Sequence, residues 1–331
     1  MTTGLKKVFV ISAAIRNELV AADPRSEELI KPFVQGTNLR SWYVEDSNEY
    51  LIFTRRGVVI EEYPAVLAYL EQFREQLEPK PINWPPSKKW MGLKPGAYQW
   101  YEIQDSVDYW SAFEKSKIVW PDICKLPRFS MDSEYKYLGN TGYVIPDGDF
   151  YLLGVLSSWA TWFFISKTAQ PLRLRGDRWQ YRLFAQFMEH IPIPDAKKSD
   201  RLAIASLAER CTSLGPQRYE LESQVQRRLT QVFGAQGPAG GTLNNKAQEW
   251  WLQSLNDLGE ALKTSFKLKQ NPFTNPRTAD EWEPYLAEKR SEVERLTQEL
   301  ADAEADINAR VYKLFKLTQT EIALLQREVE H

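Results

Sequence analysis

The sequence predicts an α+β protein: a mixed α/β part up to about residue 194, followed by a long-helix, coiled-coil-like C-terminal region. Three observations carry this. Short β-branched and aromatic runs, bounded by Pro, Gly and Asn, recur before residue 194 and read as strands. Beyond Pro194 such runs give way to apolar residues at helical spacing. Within that tail Leu286, Val293, Leu296, Leu300, Ala303 and Ile307 follow heptad-like spacing, with charges between them, as in helices that pack along a seam.

At 331 residues the chain has room for about two domains and a sizeable core. Composition divides it into an opening strand–helix–hairpin–helix segment (1–96), a mixed core (97–195) and a helical tail (196–331) with a Gly-rich break at 234–241.

The opening segment starts with a short strand over 7–11, and Ser12 then caps a helix carrying Ile15 and Leu19. Asp23-Pro24 ends it; Ser26 opens a second helix with Leu29, Ile30 and Phe33, which Gly36 stops. Residues 42–44 and 50–53 alternate as a hairpin around Asp46-Ser47-Asn48. Over 63–77, Val66, Leu67, Leu70, Phe73 and Leu77 share one helical face. The proline-rich stretch 80–96 is an irregular connection.

In the mixed core, 107–113 is helix-compatible. Ile118-Val119-Trp120 reads as a buried strand with a charged start, and Pro121 stops its ladder. Asn140-Thr141 favours a turn. The apolar run 150–165 is interrupted by Gly154, Ser157, Ser158 and Thr161; it falls short of the ~20 residues a membrane span needs and reads as a buried helix. In the tail, helices are expected over 198–233, 250–262 and 279–315, the last roughly 50 Å long at ~1.5 Å per residue. Thr318-Gln319-Thr320-Glu321 is a capping box for a final short helix.

A net charge of −2 excludes a uniformly basic DNA-coating protein but leaves room for a local cationic groove. The charges segregate. Residues 166–183 hold Lys167, Arg173, Arg175, Arg178 and Arg182 against one acid, Asp177, while acids concentrate in 45–62 and 281–304. Cys124 and Cys211 are far apart, no CxxC occurs, and the histidines are His190 and His331. No zinc ligand set or disulfide framework is expected, which suits a reducing cytoplasm. Nor does the N-terminus read as a signal peptide, and no membrane partner is expected.

One order of features resembles a known family. It consists of Trp100-Tyr101-Glu102-Ile103-Gln104, Phe113-Glu114-Lys115-Ser116-Lys117-Ile118-Val119, Asn140-Thr141, Tyr151-Leu152-Leu153-Gly154-Val155-Leu156-Ser157-Ser158 and Ile191-Pro192-Ile193-Pro194. The series resembles the TaqI-like C-terminal specificity (target-recognition) domain of adenine-N6 DNA methyltransferases and fused type II restriction–methylation enzymes. The stretch from Ile30 to Gly36, and that from Val311 to Ile322, also look like these enzymes. The resemblance implies that 97–195 is a target-recognition core reading duplex DNA for a methyltransferase catalytic domain or subunit. It implies a part in restriction–modification and phage defence.

The family's catalytic features are not found. Adenine-N6 methylation stacks a flipped adenine on an aromatic ring and bonds its amino group, for which the family uses an Asn/Asp-Pro-Pro-Tyr/Phe motif. The nearest match, Asn271-Pro272-Phe273, lacks the second proline, follows no expected strand and reads as a turn. The glycine-rich cofactor motif is also absent, since Gly237 to Gly241 belongs to no strand–turn–helix unit. No catalytic residue and no metal ligand is assigned. S-adenosylmethionine is implied only for a catalytic domain outside these residues.

The candidate DNA contacts are Arg173, Arg175, Arg178 and Arg182, with Lys125, Arg128, Lys136 and Asn140 on loops before them. Arginine forks suit phosphate oxygens and guanine edges, and Leu174 and Trp179 interleave apolar surface. Arg182 ranks behind the other arginines because a helical turn would point it inward. The competing reading of the cluster is a solvated face. A second reading of the chain stays open: a helical assembly protein that self-associates through its tail and has no DNA role.

Overall fold

A computed structural model describes residues 1–176 and 178–330, the side chains of Val329 and Glu330 aside. Asp177 and His331 lie outside the described residues. The architecture is α+β, with strands confined to the first 182 residues and long helices after residue 197. Two compact units are present: Met1–Ser206 with Ile307–His331, and Leu207–Asp306.

The strands are β1 (Val10–Ser12), β2 (Ile30–Val34), β3 (Glu49–Ile52), β4 (Lys117–Pro121), β5 (Ile123–Cys124), β6 (Ser130–Asp132), β7 (Tyr137–Leu138), β8 (Gly142–Pro146), β9 (Gln170–Arg175) and β10 (Arg178–Arg182). They form three small sheets, ordered β1-β3-β2-β7, β6-β4-β8 and β5-β10-β9. Only β2 and β7 pair in parallel among the registers resolved.

The first sheet corrects several expectations. The segment after Ser26 is not a helix: a 3₁₀ turn Pro24–Glu28 leads into β2. Ile30, Phe33 and Val34 are β-formers, and pairing with β3 and β7 buries them. The expected 42–44/50–53 hairpin does not form either. Trp42 has φ +74°, a conformation that no strand accommodates, so β3 pairs with β1 and β2. Residues 7–11 divide into a short helix Lys6–Phe9 and the start of β1. The 63–77 helix splits into Pro64–Glu71 and Arg74–Leu77. Val107, at φ +48°, reduces the helix expected at 107–113 to a 3₁₀ turn, Trp110–Ala112. Ser12 does cap Ala13–Ala22, accepting from the Ile15 amide.

β4 is buried along its whole length. Its first residue, Lys117, is fully buried, and all three ammonium donors are engaged: Asp132 Oδ2 at 2.7 Å, Phe113 O at 2.9 Å and Lys115 O at 3.4 Å. Lys117 and Asp132 stand opposite each other in the β4–β6 ladder. Asp132 also accepts from the Glu134 and Lys136 amides. Burial pushes the Lys117 pKa down, and Asp132 works against that shift.

Past β8, the apolar run forms two helices, Phe150–Leu156 and Trp159–Thr168, because Ser158 stops the first and caps the second. The second helix takes a hydrogen bond from the Trp159 amide to Asn308 (2.8 Å) and a Lys167–Glu328 ion pair (2.6 Å) to the C-terminal helix Gln319–Glu330. The Thr318 capping box is formed, with Glu321 accepting from the Thr318 amide at 2.7 Å. Among the described residues no helix is long and apolar enough to cross a membrane.

In the second unit, residues of the helices Lys198–Gly234 and Pro276–Leu314 run antiparallel. Arg210 pairs with Glu299 at 3.0 Å, and Arg228 lies over the Trp282 and Tyr285 rings. Leu286, Val293 and Leu296 of the heptad seam pack with Leu221, Val225 and Leu229 of this same chain. The helix expected over 250–262 begins as a 3₁₀ turn and continues as Leu255–Phe266.

Two outcomes test this packing. Lys117→Met leaves a buried carboxylate uncompensated and should cost ~3–5 kcal/mol in urea unfolding, while adding Asp132→Leu should recover part of the loss. The Cys124 and Cys211 thiols are buried and pushed up to about 12 by that burial. An aromatic disulfide reagent at neutral pH should therefore label neither cysteine in the native chain and both after denaturation.

Candidate nucleic-acid interface

The arginine-rich segment is a β-hairpin. Arginines alternate with Leu172, Leu174, Trp179 and Tyr181, the period-2 pattern of a strand. Gly176 at the tip has φ +68°, which glycine adopts without strain. Arg175 opposes Arg178, Leu174 opposes Trp179 and Arg173 opposes Gln180; the register then shifts so that Tyr181 opposes Pro171. The hairpin is rooted through Tyr181↔Cys124 and Arg182↔Ile123. All six residues of the edge strand β9 are exposed.

Strand alternation therefore puts Arg173, Arg175, Arg178 and Gln180 on one face, and Leu174 and Trp179 (56% and 47% exposed) on the other. Arg173 Nε donates to Gln180 Oε1 at 2.8 Å. Lys125 donates its ammonium to the Arg175 carbonyl, which brings another cation to the tip. Among the described residues none of Lys125, Arg173, Arg175 or Arg178 has an ion pair with a carboxylate, whereas Arg16–Glu27, Arg40–Glu45 and Arg201–Asp149 are paired elsewhere in the unit. Asp177, the one acid of the segment, lies outside the described residues. Arg175 faces Arg178 across the ladder, so two like charges stand together at the tip.

The other candidates are placed differently. Arg182 sits half-buried at the hairpin root, its guanidinium over the Phe184 ring at 5.3 Å and its Nε buried without a hydrogen-bond partner. It lies on a strand, not on the helical turn considered from sequence. Arg128 is half-buried in the loop between β5 and β6, which is tied to 41–42 by Ser41 Oγ donating to Pro127 O (2.7 Å) and the Trp42 amide donating to Phe129 O (3.0 Å). Lys136 is 7% exposed and its ammonium is held by Glu134, so its charge is turned to that carboxylate. Asn140 is exposed on the turn between β7 and β8. That turn is clamped: the Gly36 amide donates to Thr141 Oγ1 at 2.8 Å, and a Cβ on Gly36 would fall 2.1 Å from the Thr141 carbonyl oxygen.

Sequence reasoning missed the Lys125 contact with the tip, because no local spacing relates residues fifty apart. It also missed four lysines, Lys80, Lys88, Lys89 and Lys94, in a stretch from Pro79 to Tyr101 without a single Asp or Glu. That signal was present in the sequence.

No catalytic constellation emerges among the described residues. Asn271 is buried, its Oδ1 accepting from the Phe273 amide (2.9 Å) and its Nδ2 donating to Asn256 O (3.2 Å), so Asn271-Pro272-Phe273 is a locked turn. A cavity of about 420 Å³ is lined by Lys31, Phe53, Arg55, Tyr63, Trp110, Glu114 and Tyr137, among others. Several of its polar groups are paired: Lys31 lies 3.6 Å from Glu114, Tyr137 donates to Glu114 and Tyr63 donates to Glu28. Burial, with Glu114 alongside, raises the Tyr137 hydroxyl well above its ordinary range, so it stays protonated and supplies no base at neutral pH. No group of three or more His, Cys, Asp or Glu side chains is placed to hold a metal ion among the described residues.

Comparison with known proteins adds three findings. A family model described as a domain of unknown function (DUF8810) matches residues 197–311. The type II methyltransferase M.BanIII of Aneurinibacillus aneurinilyticus is 24% identical over 255 residues, covering 71% of this chain and 41% of that protein. The solved structure of the type IIL restriction–modification enzyme MmeI in complex with DNA superposes with a TM-score of 0.50 at 15% identity, covering 99% of this chain and 34% of that one. The chain thus spans well under half the length of either relative. It resembles restriction–modification enzymes, in sequence weakly and in fold along nearly its whole length.

Proposed function

We propose that this chain is the DNA-sequence-recognition portion of an adenine-N6 methyltransferase or of a fused restriction–methylation enzyme, with a TaqI-like specificity domain. The observation that carries the reading is the exposed hairpin 170–182. It presents Arg173, Arg175 and Arg178 on one face without a carboxylate partner among the described residues, with Arg175 directly opposite Arg178. Clustered guanidinium groups of this kind suit the phosphate oxygens and guanine edges of a duplex.

The similarity to a methyltransferase and to the fold of a DNA-bound restriction–modification enzyme supports the same partner. A two-stranded ribbon fits the major groove, where arginine bonds guanine edges bidentately. In this reading phosphate contacts set the register and one or two side chains read bases. Lys125 reaches the tip of the ribbon, and Arg128 and Asn140 are further candidates on the loops before it. Methyl transfer from S-adenosylmethionine to a flipped adenine is assigned to a catalytic domain outside these residues. The place of action is the cytoplasm, in defence against phage DNA. The rival reading, self-association through the tail, loses its main support because the seam residues Leu286, Val293 and Leu296 are buried within this chain.

Two measurements test the proposal. Replacing Arg173, Arg175 and Arg178 together with Ala should weaken duplex binding at least tenfold at low salt and make log K against log[salt] shallower by about 2–3, at ~0.9 per lost phosphate contact. Unchanged binding would move the interface elsewhere. The single change Arg175→Thr relieves the opposed charges. It should leave stability in urea unfolding unchanged or raised, since like charges opposed across a ladder are unfavourable, while lowering DNA affinity; loss of stability would contradict the account of the charge pair.

A further inference from the structure

We infer that the proline-braced loop 79–96 is a second DNA contact, one that grips the phosphate backbone without reading sequence. The inference rests on duplex DNA being the partner of the hairpin, and adds a separate surface to it.

The loop is cationic and built to stay so. Lys80, Lys88, Lys89 and Lys94 fall in a stretch, 79–101, that contains no Asp or Glu. Lys88, Lys89 and Lys94 are exposed and Lys80 is half-buried. None of the four has an ion pair or a side-chain hydrogen bond among the described residues. Glu78, against which the loop closes, has its carboxylate on Arg74 at 3.1 Å. An ordinary surface loop carries interspersed charges of both signs; this one carries a single sign over more than twenty residues.

The loop is also rigid for a segment with little regular structure. Five prolines, at 79, 81, 85, 86 and 95, restrict its backbone. Trp84 and Trp90 pack edge to face with centroids 4.7 Å apart. Trp84 Nε1 donates to Lys88 O at 2.9 Å and Trp90 Nε1 donates to Glu78 O at 3.2 Å. The two ends are stitched by the Lys80 amide to Leu93 O (3.1 Å) and the Leu93 amide to Glu78 O (3.0 Å). Gly92 permits that closure, since a Cβ there would sit 2.2 Å from Glu78 O.

Rigidity and unpaired charge together point to a polyanion. Prolines and a Trp pair hold the backbone that bears the lysines before the partner arrives, so less ordering entropy opposes binding. Lysine is a point-charge donor with three rotatable N–H bonds, suited to phosphate oxygens and poor at discriminating base edges. The surface therefore adds affinity and salt dependence but no sequence preference.

The test uses the full chain and a random-sequence duplex of about forty base pairs, titrated by fluorescence anisotropy between 50 and 300 mM salt. In the variant, Lys80, Lys88, Lys89 and Lys94 are all replaced by Gln. Its slope of log K against log[salt] should be shallower by about 2–4, at ~0.9 per phosphate contact, with affinity at low salt at least tenfold lower. The matching Lys→Arg variant should bind like the parent, which separates lost charge from lost structure. If the Gln variant binds as the parent does while the hairpin triple-Ala variant is impaired, the loop inference fails and the hairpin reading stands. If the Gln and Arg variants are impaired alike, the loop acts structurally and the inference fails. If the parent shows no salt-dependent duplex binding, both readings fail together.

Discussion

A lysine with no access to water organises the first unit. Taking an ammonium and a carboxylate out of solvent costs several kcal/mol per ion, so Lys117 and Asp132 are tolerable only as a fully bonded pair. That demand admits one register of β4 against β6, because a slip of one residue turns Lys117 to the other face of the strand. β4 in turn positions the next strand. Trp120 Nε1 donates to Leu183 O at 3.0 Å, and the Leu183 amide donates to Asp122 O at 2.8 Å. Through these bonds β5, and with it the root of the arginine hairpin, is held to the buried sheet.

The hairpin combines a packed end with an open one. Its root is packed: Cys124 is buried, Tyr181 meets Trp162 edge to face at 5.8 Å, and Arg182 lies over Phe184. Its outer strand is exposed at every position. Such a division, with a packed base and an exposed edge, is common where segments project from a rigid scaffold.

The second unit is held by apolar contact along its helices. Leu221, Val225 and Leu229 meet Leu286, Val293 and Leu296, with Trp250, Phe233 and Phe266 among the buried aromatics. A heptad stripe in sequence says that a helix has a partner and says nothing about whose helix that is. Here the partner is the antiparallel helix of the same chain.

Much of the fold was legible in residues 1–331 alone. The α+β class, the buried strand at Ile118-Val119-Trp120, the Asn140-Thr141 turn, the Thr318 capping box and the long C-terminal helix all follow from local signals: β-branching, cap chemistry and apolar period. The hairpin at 170–182 pairs locally, and its period-2 alternation was there to be read. Whether Ile30, Phe33 and Val34 become helix or strand depends on which distant strand is available to pair. Such pairing is energetically decisive but leaves little mark on short windows. The chemistry of the candidate site divides the same way. Sequence determined that positive charge is concentrated at 173–182 and that acids are missing from 79–101, since composition is a one-dimensional property. Tertiary structure alone decided that Lys136 turns its charge to Glu134, that Lys125 reaches the tip, and that Arg175 must face Arg178, since desolvation and cross-strand register exist only once the chain is folded.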